Sequence, residues 1–206
     1  MFPIIPANSV TAASGNDEGI FGFGTIHPVL QSITNLVSNV GVVASDTAGV
    51  GTARQVLAAT EYGGDKGIFG FGYDGNNLSI TNLVSNAGVV ASDQAATTGT
   101  ARRAQAACGY GDDKGIFGYG YTNTNVSMTN LVSNAGVVAT DVAGVGTIRG
   151  MLAACEYGQD KGIFGYGYDA PPNLSMTNLV SNAGVVASDV AGVGTARRSL
   201  GACSFN

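Results

Sequence analysis

The feature that most constrains this chain is an internal repeat. The motif G-I-F-G-[FY]-G places phenylalanines at Phe21, Phe69, Phe117 and Phe164, with spacings of 48, 48 and 47 residues. A second motif, T-N-L-V-S-N-x-G-V-V, begins at Thr34, Thr81, Thr129 and Thr177, with spacings of 47, 48 and 48. Arginine recurs at Arg54, Arg102, Arg149 and Arg197. Three landmarks in one order and one period define a tandem array, in which each unit buries its faces only by stacking on its neighbours.

The third unit shows what one copy encodes. A short small-residue run, A-Q-A-A-C-G-Y, leads through the turn G-D-D-K into G-I-F-G-Y-G-Y. There Phe117, Tyr119 and Tyr121 alternate with glycines at the strand period of two. Glycine inside a strand marks close approach of another part of the chain. After the polar loop T-N-T-N comes V-S-M-T-N-L-V-S-N, with Val126, Met128 and Asn130 on one face and Ser127, Thr129, Leu131 and Ser133 on the other. Asn134-Ala135-Gly136 signals a tight turn, and G-V-V-A-T-D returns from it. Four short strands joined by turns too short for a parallel crossover predict an antiparallel meander.

Composition narrows the class. The chain has 206 residues, of which 45% are hydrophobic, 11% charged and 32 are glycine. It is rich in β-branched and aromatic residues, which excludes a disordered polar chain. A net charge of −5 without a basic stripe argues against nucleic-acid binding. No run of about 20 apolar residues is present, so no membrane insertion is expected. The start, M-F-P-I-I-P-A-N-S, has no basic segment and does not resemble a secretory signal. Synthesis in a cytosol is therefore expected. Cys108, Cys155 and Cys203 recur at the position that Thr60 fills, and read as small buried residues rather than a disulfide framework.

A four-stranded unit of about 48 residues suits a β-propeller blade. A solenoid usually has shorter repeats. The expected fold is all-β: a four-bladed propeller with an N-terminal arm at 1–9 and one domain over 10–206. Its units are 10–54, 55–102, 103–149 and 150–197. Residues 198–206 read as the first strand of a further unit, which closes the ring against the blade of Phe21. The alternative is an open array completed by strand exchange with a neighbouring subunit.

The order of Arg102, Ala106-Ala107, Ile116-Phe117-Gly118, a variable loop and Asp141 resembles a degenerate Kelch-type repeat, without its Gly-Gly doublet and tryptophan. The fuller pattern N-L-V-S-N-x-G-V-V-A-x-D-x-x-G-V-G-T-x-R also resembles repeat proteins of phage genomes and environmental sequences. That resemblance implies a virion, tail or fibre role, with other virion proteins or further copies of the chain as partners.

Candidate functional residues fall in two groups. Arg54, Arg102, Arg149 and Arg197, with Asp46, Asp93, Asp141 and Asp189, recur with the fold and are expected to fix the packing between units. A ring of these aspartates around a cation is the sharper alternative. The loops between the second and third strands break the repeat. There Tyr73, Asp74, Tyr121, Tyr168 and Asp169 suit sugar recognition, through a flat ring for a pyranose face and carboxylates for hydroxyls. A carbohydrate-binding lectin for a host surface glycan is the alternative function. With His27 the single histidine, no Ser-His-Asp or Cys-His set can be assembled. No catalytic residue, cofactor or metal is expected.

Overall fold

A computed structural model describes residues 17–94 and 99–205. The expected arm at 1–9 lies outside the described residues, as does most of the shortened first-strand segment of unit 1. Among the described residues the chain is all-β, built from small antiparallel sheets. Unit 1 contributes β1 (Gly19–Gly22), β2 (Thr25–Ile26), β3 (Val29–Leu30) and β4 (Thr34–Val37). Unit 2 holds β5 (Ala58–Tyr62), β6 (Lys66–Tyr73) and β7 (Asn77–Val84). Unit 3 holds β8 (Ala106–Tyr110), β9 (Lys114–Tyr121) and β10 (Asn125–Val132), and unit 4 holds β11 (Ala153–Tyr157), β12 (Lys161–Tyr168) and β13 (Asn173–Val180). Units 2 to 4 are three-stranded meanders, whereas β1 pairs with β4 alone and β2 with β3.

The expected fourth strand is instead a return segment held by isolated bridges, such as Val84↔Val90 and Thr81↔Gln94. The cause lies in the T-N-L-V motif. Asn82 turns its side chain to the return segment and donates Nδ2 to Ala91 O at 3.0 Å and to Asp93 Oδ1 at 2.9 Å. A side-chain amide thereby takes a carbonyl, that of Ala91, which a regular ladder would give to a backbone N–H group. The turn itself is as expected: Gly136 has φ 75° and donates its N–H to Ser133 O at 2.9 Å.

The simple alternation along the third run also fails. Gly118 pairs with Thr129 and Gly120 with Val126, so Ser127 and Met128 together face Tyr119. This is a β-bulge, and it inverts the alternation on either side of it. Tyr119 supplies the kink, with φ 63° ahead of Gly120 at φ 110°. Phe23, Phe71 and Tyr166 repeat it at φ 64°, 61° and 63°. The kink turns this aromatic toward the neighbouring unit: Phe71 and Tyr119 are fully buried.

Units stack in chain order, β5 on β8 and β8 on β11. The close approach that the strand glycines predict is made by an aromatic ring of the next unit. A methyl carbon placed on Gly70 would lie 2.6 Å from Phe117 Cζ, and one on Gly118 would lie 2.6 Å from Phe164 Cζ. Phe71 meets Phe117 edge to face at 5.2 Å, and Tyr119 meets Phe164 at the same distance. A column of backbone hydrogen bonds runs through the stack: Ala104 N to Val56 O at 3.1 Å, Met151 N to Ala104 O at 2.9 Å, and Ser199 N to Met151 O at 2.9 Å. The segment 199–205 therefore lies over unit 4 as the start of a further unit. It is not among the strands paired with β1.

The cysteines follow the stack rather than the expectation of uniform burial. Cys108 is buried, Cys155 half-buried and Cys203 exposed. Burial at this position is supplied by the next unit: a methyl carbon on Gly162 would meet Cys108 Sγ at 2.6 Å.

Overpacking at such a seat costs about 1–3 kcal/mol. We expect Gly118→Ala to lower the urea-unfolding free energy by that amount. Gly201→Ala, with nothing within 4 Å of the added methyl, should leave it unchanged.

Candidate functional site

The most elaborate chemistry lies between units. Arg54, Arg102 and Arg149 are fully buried, although guanidinium groups rarely leave water. Each lies on an aromatic ring of the kinked position: Arg54 on Phe23 at 4.1 Å, Arg102 on Phe71 at 4.2 Å and Arg149 on Tyr119 at 4.1 Å. Arg102 donates Nη1 to Thr100 O at 3.2 Å and Nη2 to Asn130 Oδ1 of the next unit at 2.6 Å. Arg149 repeats this with Thr147 O at 3.0 Å and Asn178 Oδ1 at 2.5 Å. Arg54 differs by a rotation of its head. It donates Nε to Phe71 O at 2.8 Å, and Arg54 Nη2 and Asn82 Oδ1 have no hydrogen-bond partner among the described residues.

The aspartates complete these nodes from the next unit. Asp93, Asp141 and Asp189 lie 4.0, 3.8 and 3.8 Å from Arg54, Arg102 and Arg149. Asp189 accepts from Thr147 N at 3.0 Å, Thr147 Oγ1 at 2.7 Å and Asn178 Nδ2 at 2.9 Å. Burial alone would raise these carboxyls. The threonine hydroxyl and amide, the asparagine and the arginine charge outweigh it, and their pKa values fall below the ordinary value. Burial lowers Arg54 and Arg102 to about 10, against the opposing aspartates, and lowers Arg149 too. All three stay protonated at neutral pH. Among the described residues no group of three or more His, Cys, Asp or Glu is placed to hold a metal ion, so the aspartates do not form a cation ring.

The loop residues expected to meet sugar form a second ladder along one edge. Arg103 Cζ lies 4.2 Å from the Tyr73 ring and 4.9 Å from that of Tyr121. Arg198 covers Tyr168 at 4.1 Å. Asp74 accepts from Asn76 N at 2.9 Å within its own loop, whereas Asp169 accepts from Asn125 Nδ2 of the preceding unit at 3.0 Å. Asn77 likewise reaches Thr122 O of the next unit at 2.8 Å. The structure thus brings Tyr73 and Tyr121 together around one guanidinium and sets Tyr168 and Asp169 at the next junction.

One pair escapes a search for repeated residues. The first strands read A-A-T-E-Y, A-A-C-G-Y and A-A-C-E-Y, and Gly109 interrupts the glutamates. A methyl carbon on Gly109 would overlap Glu156 Oε1 and lie 3.3 Å from Glu61 Oε1. The gap lets carboxyls of units 2 and 4 meet across unit 3, in a groove of about 220 Å³ that Cys155 and Cys203 also line. Burial first, then the hydrogen bond and charge of Glu61, then Asp112, push Glu156 up to about 7. The signal is in the sequence, as a glycine breaking a column. Its meaning depends on knowing that alternate units approach closely enough for two side chains to touch.

Removing one partner from a buried charged node costs about 3–5 kcal/mol, because the other groups stay buried and unpaired. Arg149→Ala should therefore lower the unfolding free energy by several kcal/mol in denaturant titrations, and exposed Arg197→Ala by about 1 kcal/mol or less in dilute solution. Glu156 binds more protons folded than unfolded between its ordinary pKa of 4.5 and about 7. Stability should fall as pH rises through that window. The urea midpoint should drop between pH 5 and pH 8, and Glu156→Gln should flatten that slope.

No protein-family model matches this chain, and no curated protein matches it.

Proposed function

We propose that the protein is a non-enzymatic structural and adhesion component, of the kind that serves in a phage tail, fibre or virion surface and docks other virion proteins or a host receptor. The observation that carries this reading is the repetition of one interface. At three successive junctions a threonine hydroxyl meets the next unit's aspartate at 2.7, 2.5 and 2.7 Å. Each buried arginine there lies on an aromatic ring. An array held by one recurring junction is a spacer of fixed pitch, and the charged groups of that junction are engaged in packing.

We read the array as open rather than closed into a four-bladed ring. The backbone column that starts at Val56 continues in one direction to Ser199, and 199–205 lies on unit 4. The glycan-binding alternative loses support at the tyrosines, because Arg103 and Arg198 already occupy faces of Tyr73, Tyr121 and Tyr168.

The test is proteomics of particles purified from the source of the sequence. Peptides of this chain should be enriched in the particle fraction and resist high-salt washing. Recovery only from the dissolved fraction would overturn the virion assignment.

A further inference from the structure

The two ends of the stack are complementary halves of the junction seen between its units. We propose that the chain assembles head to tail, residues 201–205 of one copy adding as the third strand along β1 of the next. The proposal rests on the open-array reading above.

Three observations carry it. First, among the described residues β1 pairs only with β4, and 201–205, the counterpart of β5, has no strand partner. Beside β1 lies a groove of about 280 Å³ lined by Ile20, Leu36, Thr60 and Gly88, where a first strand of unit 1 would run. Second, the aromatic at the end of each first strand packs on the turn glycine of the following unit. Methyl carbons on Gly136 and Gly184 would lie 3.0 Å from Tyr62 and 2.9 Å from Tyr110. In the groove the corresponding glycine is Gly88. The chain's own residue at that register, counted back from Gly19 as Tyr62 is from Gly67, is Ser14. Phe205 carries the aromatic, and it is 94% exposed. A second copy therefore fits the groove better than the chain's own amino-terminal segment.

Third, the side chains of the junction are present in halves. Phe164 is fully buried against Gly118, whereas its counterpart Phe21 is 64% exposed. Gly165, the matching seat on unit 4, has no ring against it. Arg197 already lies on Tyr166 at 4.1 Å and donates to Thr195 O at 3.2 Å, in the posture of the buried arginines. Asn35 already donates to Asp46 at 2.8 Å, in the posture of the receiving nodes. Bringing Thr195 and Arg197 to Asp46 and Asn35 of a second copy reproduces the node between Thr147, Arg149, Asp189 and Asn178. This is strand addition with side-chain keys, a known route to open filaments.

The test is sedimentation velocity of the full chain over a concentration series. The mass should rise in steps of one 20.6 kDa chain without a closed limit. Asp46→Lys and Phe205→Asp each spoil one end and leave the other intact. Each alone should weaken association at least tenfold and sediment as a monomer, and an equimolar mixture should form a 1:1 dimer that grows no further. A closed dimer, a mixture that fails to pair, or protection from hydrogen exchange in a dilute monomer of the Ile20 amide, which faces away from β4, would overturn the proposal. A monomer whose stability is unchanged by Phe205→Asp would sink the assembly alone. A monomer destabilised by it would show closure within one chain, and so sink the open array as well.

Discussion

Everything in this architecture depends on an arginine taken out of water between two units. Desolvating a guanidinium is costly, and the partners the group finds offset that cost, although Arg54 Nη2 and the Nε atoms of Arg102 and Arg149 have no hydrogen bond among the described residues. The ring below it, the threonine carbonyl beside it and the asparagine and aspartate of the next unit supply those partners. The threonine and asparagine also bind the aspartate, so positive and negative charge are neutralised across the junction rather than within a unit. One unit alone would hold half of each node.

The aromatic and glycine positions serve that node. The kinked residue before the second glycine takes a left-handed conformation, which puts its ring under the arginine instead of along the strand. The first glycine leaves room for the phenylalanine of the next unit. A side chain at the first glycine would push units apart, and one at the second would press on the entry segment of its own unit, where a methyl carbon on Gly120 would lie 2.7 Å from Arg103 O. The bulge opposite Tyr119 is the compensation on the partner strand: Ser127 and Met128 span the distance that the kink consumes.

The repeat, its period and its all-β character were legible in the sequence, because identical spacing leaves its mark whatever the fold. The recurrence of the arginines and aspartates was legible too, while the contacts of Arg54, Arg102 and Arg149 with Asp93, Asp141 and Asp189 of the next unit are seen only in three dimensions. The bulge was not legible, because glycine–aromatic alternation looks the same whether or not one aromatic adopts positive φ. The return segment read as a strand because its residues suit one, while the asparagine that replaces the ladder is visible only in three dimensions. The loops that break the repeat read as a sugar site, yet arginines one position past the recurring ones lie on the Tyr73, Tyr121 and Tyr168 rings.

By itself the sequence determined that this is an all-β tandem array of one unit, with the residues of one junction repeated in fixed order. Spacing and residue type suffice for that, since strand pairing within a unit is local. Only the tertiary structure decided how units meet: which ring lies on which glycine, which glutamates touch across Gly109, and that 199–205 follows unit 4. Those are contacts between residues some 40 to 100 positions apart. They depend on the relative placement of units, which a repeated sequence leaves open because every copy offers the same partners to every other.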